Sequence, residues 1–332
     1  MSKFLSSSTK RILWTFLSLI VSVFLIGYLL RYVDLHSFVA VAERVPPWVL
    51  VLAFGLYLFL NFCRALRFRT LLDQRHLPFK ILFPVVLYHN FLFRTLPFMT
   101  GEISYVVLLR RYLGQRASEG ISSLAGARLL ELLLVIMGGM VGILSVGVQA
   151  FENSARLVGF FFLLLLGLAT ILYFAGPLSA IAVRGWQRAT SIGPWRHFGI
   201  LTRIGEKLEE IPDQLERIRQ PATFGKTLAL SFLTYGSSLS FNLILLWATG
   251  IKQSIGILLL VNTMVMIAAW LPISLSGFGI IEGGWAVGLV ALAGLGREQA
   301  ATVAFFMHGS QVIATMLSGG IGLALLLRIS PQ

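Results

Sequence analysis

Two carboxylates stand where an apolar chain breaks. Glu282 follows Pro272, Gly277 and Gly279 within LPISLSGFGIIEGG (Leu271 to Gly284), and Glu102 follows Pro97 and Gly101 within Leu96 to Ile103. Hydrocarbon offers no partner for a free N–H or C=O, so backbone broken by Pro and Gly persists at membrane depth only when buried in protein or lining a cavity. An ionisable residue in such a place points to function. From each carboxylate a polar pair follows at the same distance: Arg128 and Glu131 lie 26 and 29 residues after Glu102, and His308 and Gln311 lie 26 and 29 after Glu282. Arg94 sits in the apolar run Leu82 to Phe98. An arginine fork matches phosphate oxygens, so Arg94 and Arg128 are candidates to grip an anionic headgroup. Glu102, Glu131, Glu282 and His308 are the groups available for gating or proton coupling. The competing structural roles are helix capping, hydrogen-bonded packing for His308 and neutralisation of arginine, with Arg128 and Glu131 spaced i,i+3 for pairing on one helix.

The elements that must hold these residues are membrane helices. Of 332 residues 57% are hydrophobic and 12% charged, far from the balance of a soluble domain. The net charge of +13 comes from short basic stretches between apolar segments, the pattern of cytoplasmic loops. No basic surface separates from the spans, which argues against nucleic acid as a partner. Cys63 is the single cysteine, so no intramolecular disulfide or thiolate metal cluster forms.

Taken in order, Lys3, Lys10 and Arg11 precede a first span at Ile12 to Leu30, read as uncleaved. A second span at Trp48 to Cys63 ends in Arg64, Arg67 and Arg69, expected to fix topology at the cytoplasmic interface with lipid-phosphate contact as a second role. The unit around Pro97 enters and leaves between basic stretches, as a re-entrant hairpin or two thin spans. Spans at Ile121 to Ala150 and Leu157 to Val183 follow. The basic segment 184–226 carries apolar residues at 3,4 spacing from Leu201 to Ile218 and reads as a cytoplasmic amphipathic linker. Leu228 to Trp247, a broken unit around Pro272 and a last span at Ala300 to Leu327 complete the chain. The expectation is an all-α polytopic membrane protein of about six full spans and two broken hairpins in one transmembrane domain. Both termini face the cytoplasm.

This order makes two halves of opposite orientation, about 12–150 and 157–328, the inverted repeat of many secondary transporters, whose interrupted segments mark the substrate site. Glycine pairs follow each carboxylate at nearly the same distance, Gly138-Gly139 at 36 and 37 residues after Glu102 and Gly319-Gly320 at 37 and 38 after Glu282, and fit the same alignment.

The sequence holds no HExxH, GxSxG or Walker glycine loop, and no cofactor or metal is expected. With RALRFRTLL (Arg64 to Leu72), TGEISYVVLLRRYLG and the following ARLLEL (Thr100 to Leu132), and LPISLSGFGIIEGG, nearly the whole chain resembles the transmembrane region of the lysylphosphatidylglycerol synthase superfamily, the flippase-like proteins. Leu275 and Ser276 stand where many members have Pro and Gly. The resemblance implies a multi-spanning protein that moves lipid across the bilayer. Some members carry a fused aminoacyl-transferase domain; the chain ends at Gln332 without one, so lysyl transfer is not expected. The functional expectation is a translocator of an anionic phospholipid or polyprenyl-phosphate-linked lipid in the bacterial inner membrane, working by alternating access. The alternatives are an integral-membrane transferase in lipid or envelope-glycan synthesis, or a scaffold whose partner is an envelope-biosynthesis enzyme.

Overall fold

The computed structural model describes residue 20 and residues 23–72, 77–96, 100–147, 154–191, 220–270 and 277–329. Pro97, Pro272, Leu275, Ser276 and most of the linker, residues 192–219, lie outside the described residues, as does most of the expected first span.

Among the described residues the chain is helical. Residues 23–30 form a helical segment. They lead to α1 (Leu35–Arg44), whose first turn is capped by the Asp34 carboxylate accepting from the Ser37 N–H at 2.9 Å. Next come α2 (Pro47–Leu71), α3 (Phe79–Thr95), α4 (Thr100–Leu113), α5 (Ala117–Val146) and α6 (Ser154–Ser191). The second half holds α7 (Pro221–Ala248), α8 (Ile255–Trp270), α9 (Ile280–Ala293) and α10 (Arg297–Leu326). Both α2 and α7 open on proline, the residue best suited to a first helical position.

Four helices, α2, α5, α7 and α10, are long and apolar enough to cross a bilayer. The protein is therefore a multi-pass membrane protein. Exposed Leu, Phe and Ile side chains along α6, among them Phe160, Phe162, Leu163 and Ile181, suit a surface facing lipid rather than water.

The interrupted segments are two antiparallel hairpins. In the first, α3 and α4 have 17 and 14 residues, and in the second, α8 and α9 have 16 and 14. At about 1.5 Å per residue no arm exceeds roughly 26 Å, short of the ~30 Å hydrocarbon core. Their antiparallel course shows in their contacts. His89 on α3 meets Ser104 on α4, with 2.9 Å between Nδ1 and Oγ. A Cβ added at Gly101 would lie 2.6 Å from the Phe93 Cα, so only glycine lets the arms turn this tightly. Gly284 and Gly288 lie against Val265 and Val261 in the same reversed order.

Each half's last helix then grips the other half's hairpin. Gly142 of α5 packs on Leu260 of α8, where an added Cβ would meet the Leu260 Cγ at 2.8 Å. Gly322 of α10 packs on α3, where it would meet the Leu87 Cβ at 2.8 Å, and Gly319 faces Phe91. Small residues at membrane-helix crossings let backbones approach closely where no hydrophobic force drives helices together. The longest contact of all joins α2 to α7.

Two apolar cores result. One gathers Phe68, Leu82, Val85, Tyr105 and Leu109 around the first hairpin. The other gathers Phe241, Leu245, Trp285, Leu289 and Met307 around the second. Both reach a common cavity, the first through Phe68 and the second through Phe241 and Ile281.

One sequence expectation changes here. The second span does not stop at Cys63 but continues as α2 to Leu71, carrying Arg64, Arg67 and Arg69 inside the helix. The first two find partners within the bundle, which removes the reason for a helix end before them.

Candidate functional site

A cavity of about 480 Å³ is lined by both hairpins and by α2, α5 and α7. Its charged wall is built by helix periodicity. Asn61, Arg64 and Arg67 recur every three residues on α2, and Arg128 and Glu131 are one turn apart on α5, so each set lies on one face.

A chain of ion pairs links them. The Glu102 Oε1 accepts from Arg128 Nε and Nη2 at 3.0 and 2.6 Å. Arg128 Nη1 donates to Glu131 Oε2 at 2.7 Å, and Arg67 Nη2 donates to Glu131 Oε1 at 2.5 Å. Arg67 is 1% exposed, so its charge depends on this chain, whereas Arg128 is 31% exposed toward the cavity. The Phe93 ring packs under Arg128, with Cζ 4.8 Å from its centroid. Two buried atoms in this network keep spare capacity among the described residues, Arg67 Nε and Glu102 Oε2.

Arg64 is held differently. Its Nη1 donates to Asn90 Oδ1 at 2.8 Å and more distantly to Asn61 Oδ1 at 3.4 Å. Asn90 Nδ2 in turn donates to Asn61 Oδ1 at 2.8 Å and reaches the Tyr57 hydroxyl at 3.3 Å, and that hydroxyl meets Thr315 of α10 at 2.7 Å. These partners are all neutral. Arg94 also lines the cavity and makes no ion pair among the described residues. Four arginines face two glutamates around the space, a net charge of +2.

The second half contributes amides. Asn242 Nδ2 donates to Asn262 Oδ1 at 2.9 Å, and Gln311 Nε2 donates to Asn242 Oδ1 at 3.2 Å. All three line the cavity.

Of the residues singled out from sequence, Arg94, Glu102, Arg128, Glu131 and Gly277 line this space. Glu282 and His308 meet each other but do not line it. The Glu282 Oε1 and His308 Nδ1 are 2.8 Å apart, and Oε2 accepts from the Gly279 N–H at 2.8 Å, with both side chains buried to 2% exposure or less. Gly279 at φ +84° and Gly277 at φ +80° adopt the left-handed conformation that favours glycine, which turns the chain into α9. Glu102 thus lines the cavity and Glu282 does not. Near Glu282, the residues that line the cavity are Gly277 and Ile281.

Sequence reading missed Arg64 and Arg67 as cavity residues, along with Asn61 and Asn90. The available signal was the three-residue recurrence on α2. Among the described residues no group of three His, Cys, Asp or Glu side chains is placed to hold a metal.

Helical hairpins, membrane-length helices and an internal charged cavity define a polytopic membrane protein. The chain belongs to the lysylphosphatidylglycerol synthase TM region family, whose model matches residues 15–319. No curated protein and no solved structure matches the chain. The membership connects the protein to membrane lipid.

Proposed function

We propose that the protein translocates an anionic lipid, a phospholipid or a polyprenyl-phosphate-linked species, across the bacterial inner membrane by alternating access. The observation that carries this reading is the net positive cavity lined by the tips of both hairpins. An isolated guanidinium in a membrane interior is costly, and excess positive charge there favours an anion that brings the missing charge.

The helix contacts support an inverted repeat, with α2, α3–α4 and α5 answering α7, α8–α9 and α10. Exchanging the halves turns the α3–α10 contact into α8–α5 and leaves the α2–α7 contact unchanged. Gly142 and Gly322 each lie 40 residues after their half's carboxylate and serve corresponding contacts. An asparagine pair joins the first long helix to the hairpin in each half, Asn61 with Asn90 and Asn242 with Asn262. The ends that carry Lys80, Arg110, Arg111 and Lys226 face the cytoplasm by the positive-inside rule.

In this mechanism Arg94 meets the phosphate as the headgroup enters. At Arg128 the phosphate exchanges with Glu102, which frees the start of α4. A carboxylate released inside the bundle is stable only if it gains another donor, so passage past Arg128 requires Glu102 to change partners. Glu282 and His308 stay outside the path and brace α9 against α10.

Proteoliposomes containing labelled phosphatidylglycerol or labelled phosphatidylcholine test the reading. Wild-type protein moves the anionic lipid in preference to the zwitterionic one, and Arg128→Gln abolishes that movement. Equal movement of both lipids by wild type, or unchanged movement by a folded Arg128→Gln, rejects it. Covalent change of the lipid would indicate a transferase instead.

A further inference from the structure

Resting on that reading, we infer that the resident anion seat of the cavity is Arg64, presented by an amide clamp, and that its ligand is the phosphate of a lipid headgroup. Three of the four cavity arginines differ in what they have to give. Arg67 and Arg128 already hold carboxylates, so an incoming anion must displace a charge-assisted bond to use them. Arg64 holds only the oxygens of Asn61 and Asn90. Its guanidinium is fixed in direction by neutral oxygens alone, and with two of its five N–H groups turned to Asn61 and Asn90, three are left for a ligand.

The clamp is itself anchored. Asn61 Nδ2 donates to the Tyr57 carbonyl at 2.8 Å, and Asn90 and the Tyr57 hydroxyl tie α2 to α3 and α10. A merely structural arginine buried here would be expected to pair with an acid. The neutral clamp orients the side chain without neutralising it, the arrangement that preorganises an anion site. Asn61 and Asn90 are therefore positioning residues, and Arg64 is the binding residue.

Placing a carboxylate in the clamp separates this from a diffuse positive field. Asn61→Asp keeps the acceptor oxygen that Arg64 and Asn90 use while giving Arg64 an internal counter-ion. Gln311→Glu lowers the cavity charge equally from the opposite half. Binding of phosphatidylglycerol, phosphatidylcholine and inorganic phosphate to purified protein in detergent is followed by the shift in melting temperature across a concentration series. Wild type binds phosphatidylglycerol more tightly than phosphatidylcholine. Asn61→Asp and Arg64→Gln weaken phosphatidylglycerol binding by on the order of thirtyfold, and Gln311→Glu by about fivefold. Inorganic phosphate, which lacks the chains, binds far more weakly than the lipid.

Equal losses in Asn61→Asp and Gln311→Glu would overturn the seat, as would unchanged binding in Asn61→Asp. Failure of both Asn61→Asp and Arg64→Gln to fold would show Arg64 to be architectural and would overturn it too. Inorganic phosphate binding as tightly as lipid would reject the headgroup as ligand. Absence of any preference for phosphatidylglycerol in wild type would instead remove the translocation reading on which the inference stands.

Discussion

In the first half, the carboxylate that begins the hairpin's returning arm meets an arginine 26 residues later; in the second half, at the same spacing, it meets a histidine. Three residues further on, the first half has Glu131, joined to Arg67, and the second has Gln311, joined to Asn242. The scaffold contacts correspond, but the charge does not. The charged version opens to the cavity, whereas Glu282 and His308 are buried outside its lining. Similar helical frames thus support two jobs. One half lines the cavity with charge, and the other lines it with amides, which carry no ion's desolvation cost.

The contrast breaks most visibly at Glu131. Glu131→Ala removes the acid shared by Arg67 and Arg128 and leaves Arg67 charged and buried, at a cost of about 3–5 kcal/mol. Thermal unfolding in detergent should register this as the largest loss among these variants. At the corresponding position, Gln311→Ala should cost roughly 1 kcal/mol, because only a neutral hydrogen bond is lost.

Glu282→Ala comes next, at about 1–3 kcal/mol, since it strips the Gly279 N–H and His308 of their partner. Its stability should fall while phosphatidylglycerol affinity stays within about twofold, because the pair is outside the cavity. A loss of affinity comparable with that of Arg64→Gln would place Glu282 in the site after all.

Gln311→Glu carries the first half's charge into the second. A charge across the cavity at an effective dielectric near 20 interacts by about 1 kcal/mol, so anionic-lipid affinity should drop roughly fivefold. High salt should blunt that drop only weakly, as the cavity is internal. The smallest effect belongs to Arg69→Gln on the same helix as Arg64 and Arg67 but outside the cavity lining. Lipid binding should change by less than about twofold there, measured by the same melting shifts.

Much of this was legible in the sequence. The 26-residue spacing singled out residues that meet, Glu102 with Arg128 and Glu282 with His308. Pro and Gly located both hairpin tips, and the family was readable from RALRFRTLL and the Glu102 region. Arg64 and Arg67 were hidden by their place at the end of an apolar run, where a basic residue usually marks the interface. Only their partners on α3, α5 and α7 turn them inward, and those contacts join residues far apart in the chain. The direction of Glu282 was hidden for a different reason. Three residues after Gly279, a glutamate can fold back on the helix start as readily as it can face a cavity, and a local cap decides between them.

The grip of α10 on α3 has a consequence in time. Gly319 comes 228 residues after Phe91, its neighbour in the folded protein. At about 5–20 residues per second, the ribosome takes roughly 11–46 seconds to make the chain between them. Throughout that interval the first hairpin, with Arg94 and Glu102 at its tip, sits in the membrane without the helix that covers α3. Insertion machinery must shelter a charged tip for most of the protein's synthesis, and the site is completed only when its last helix arrives.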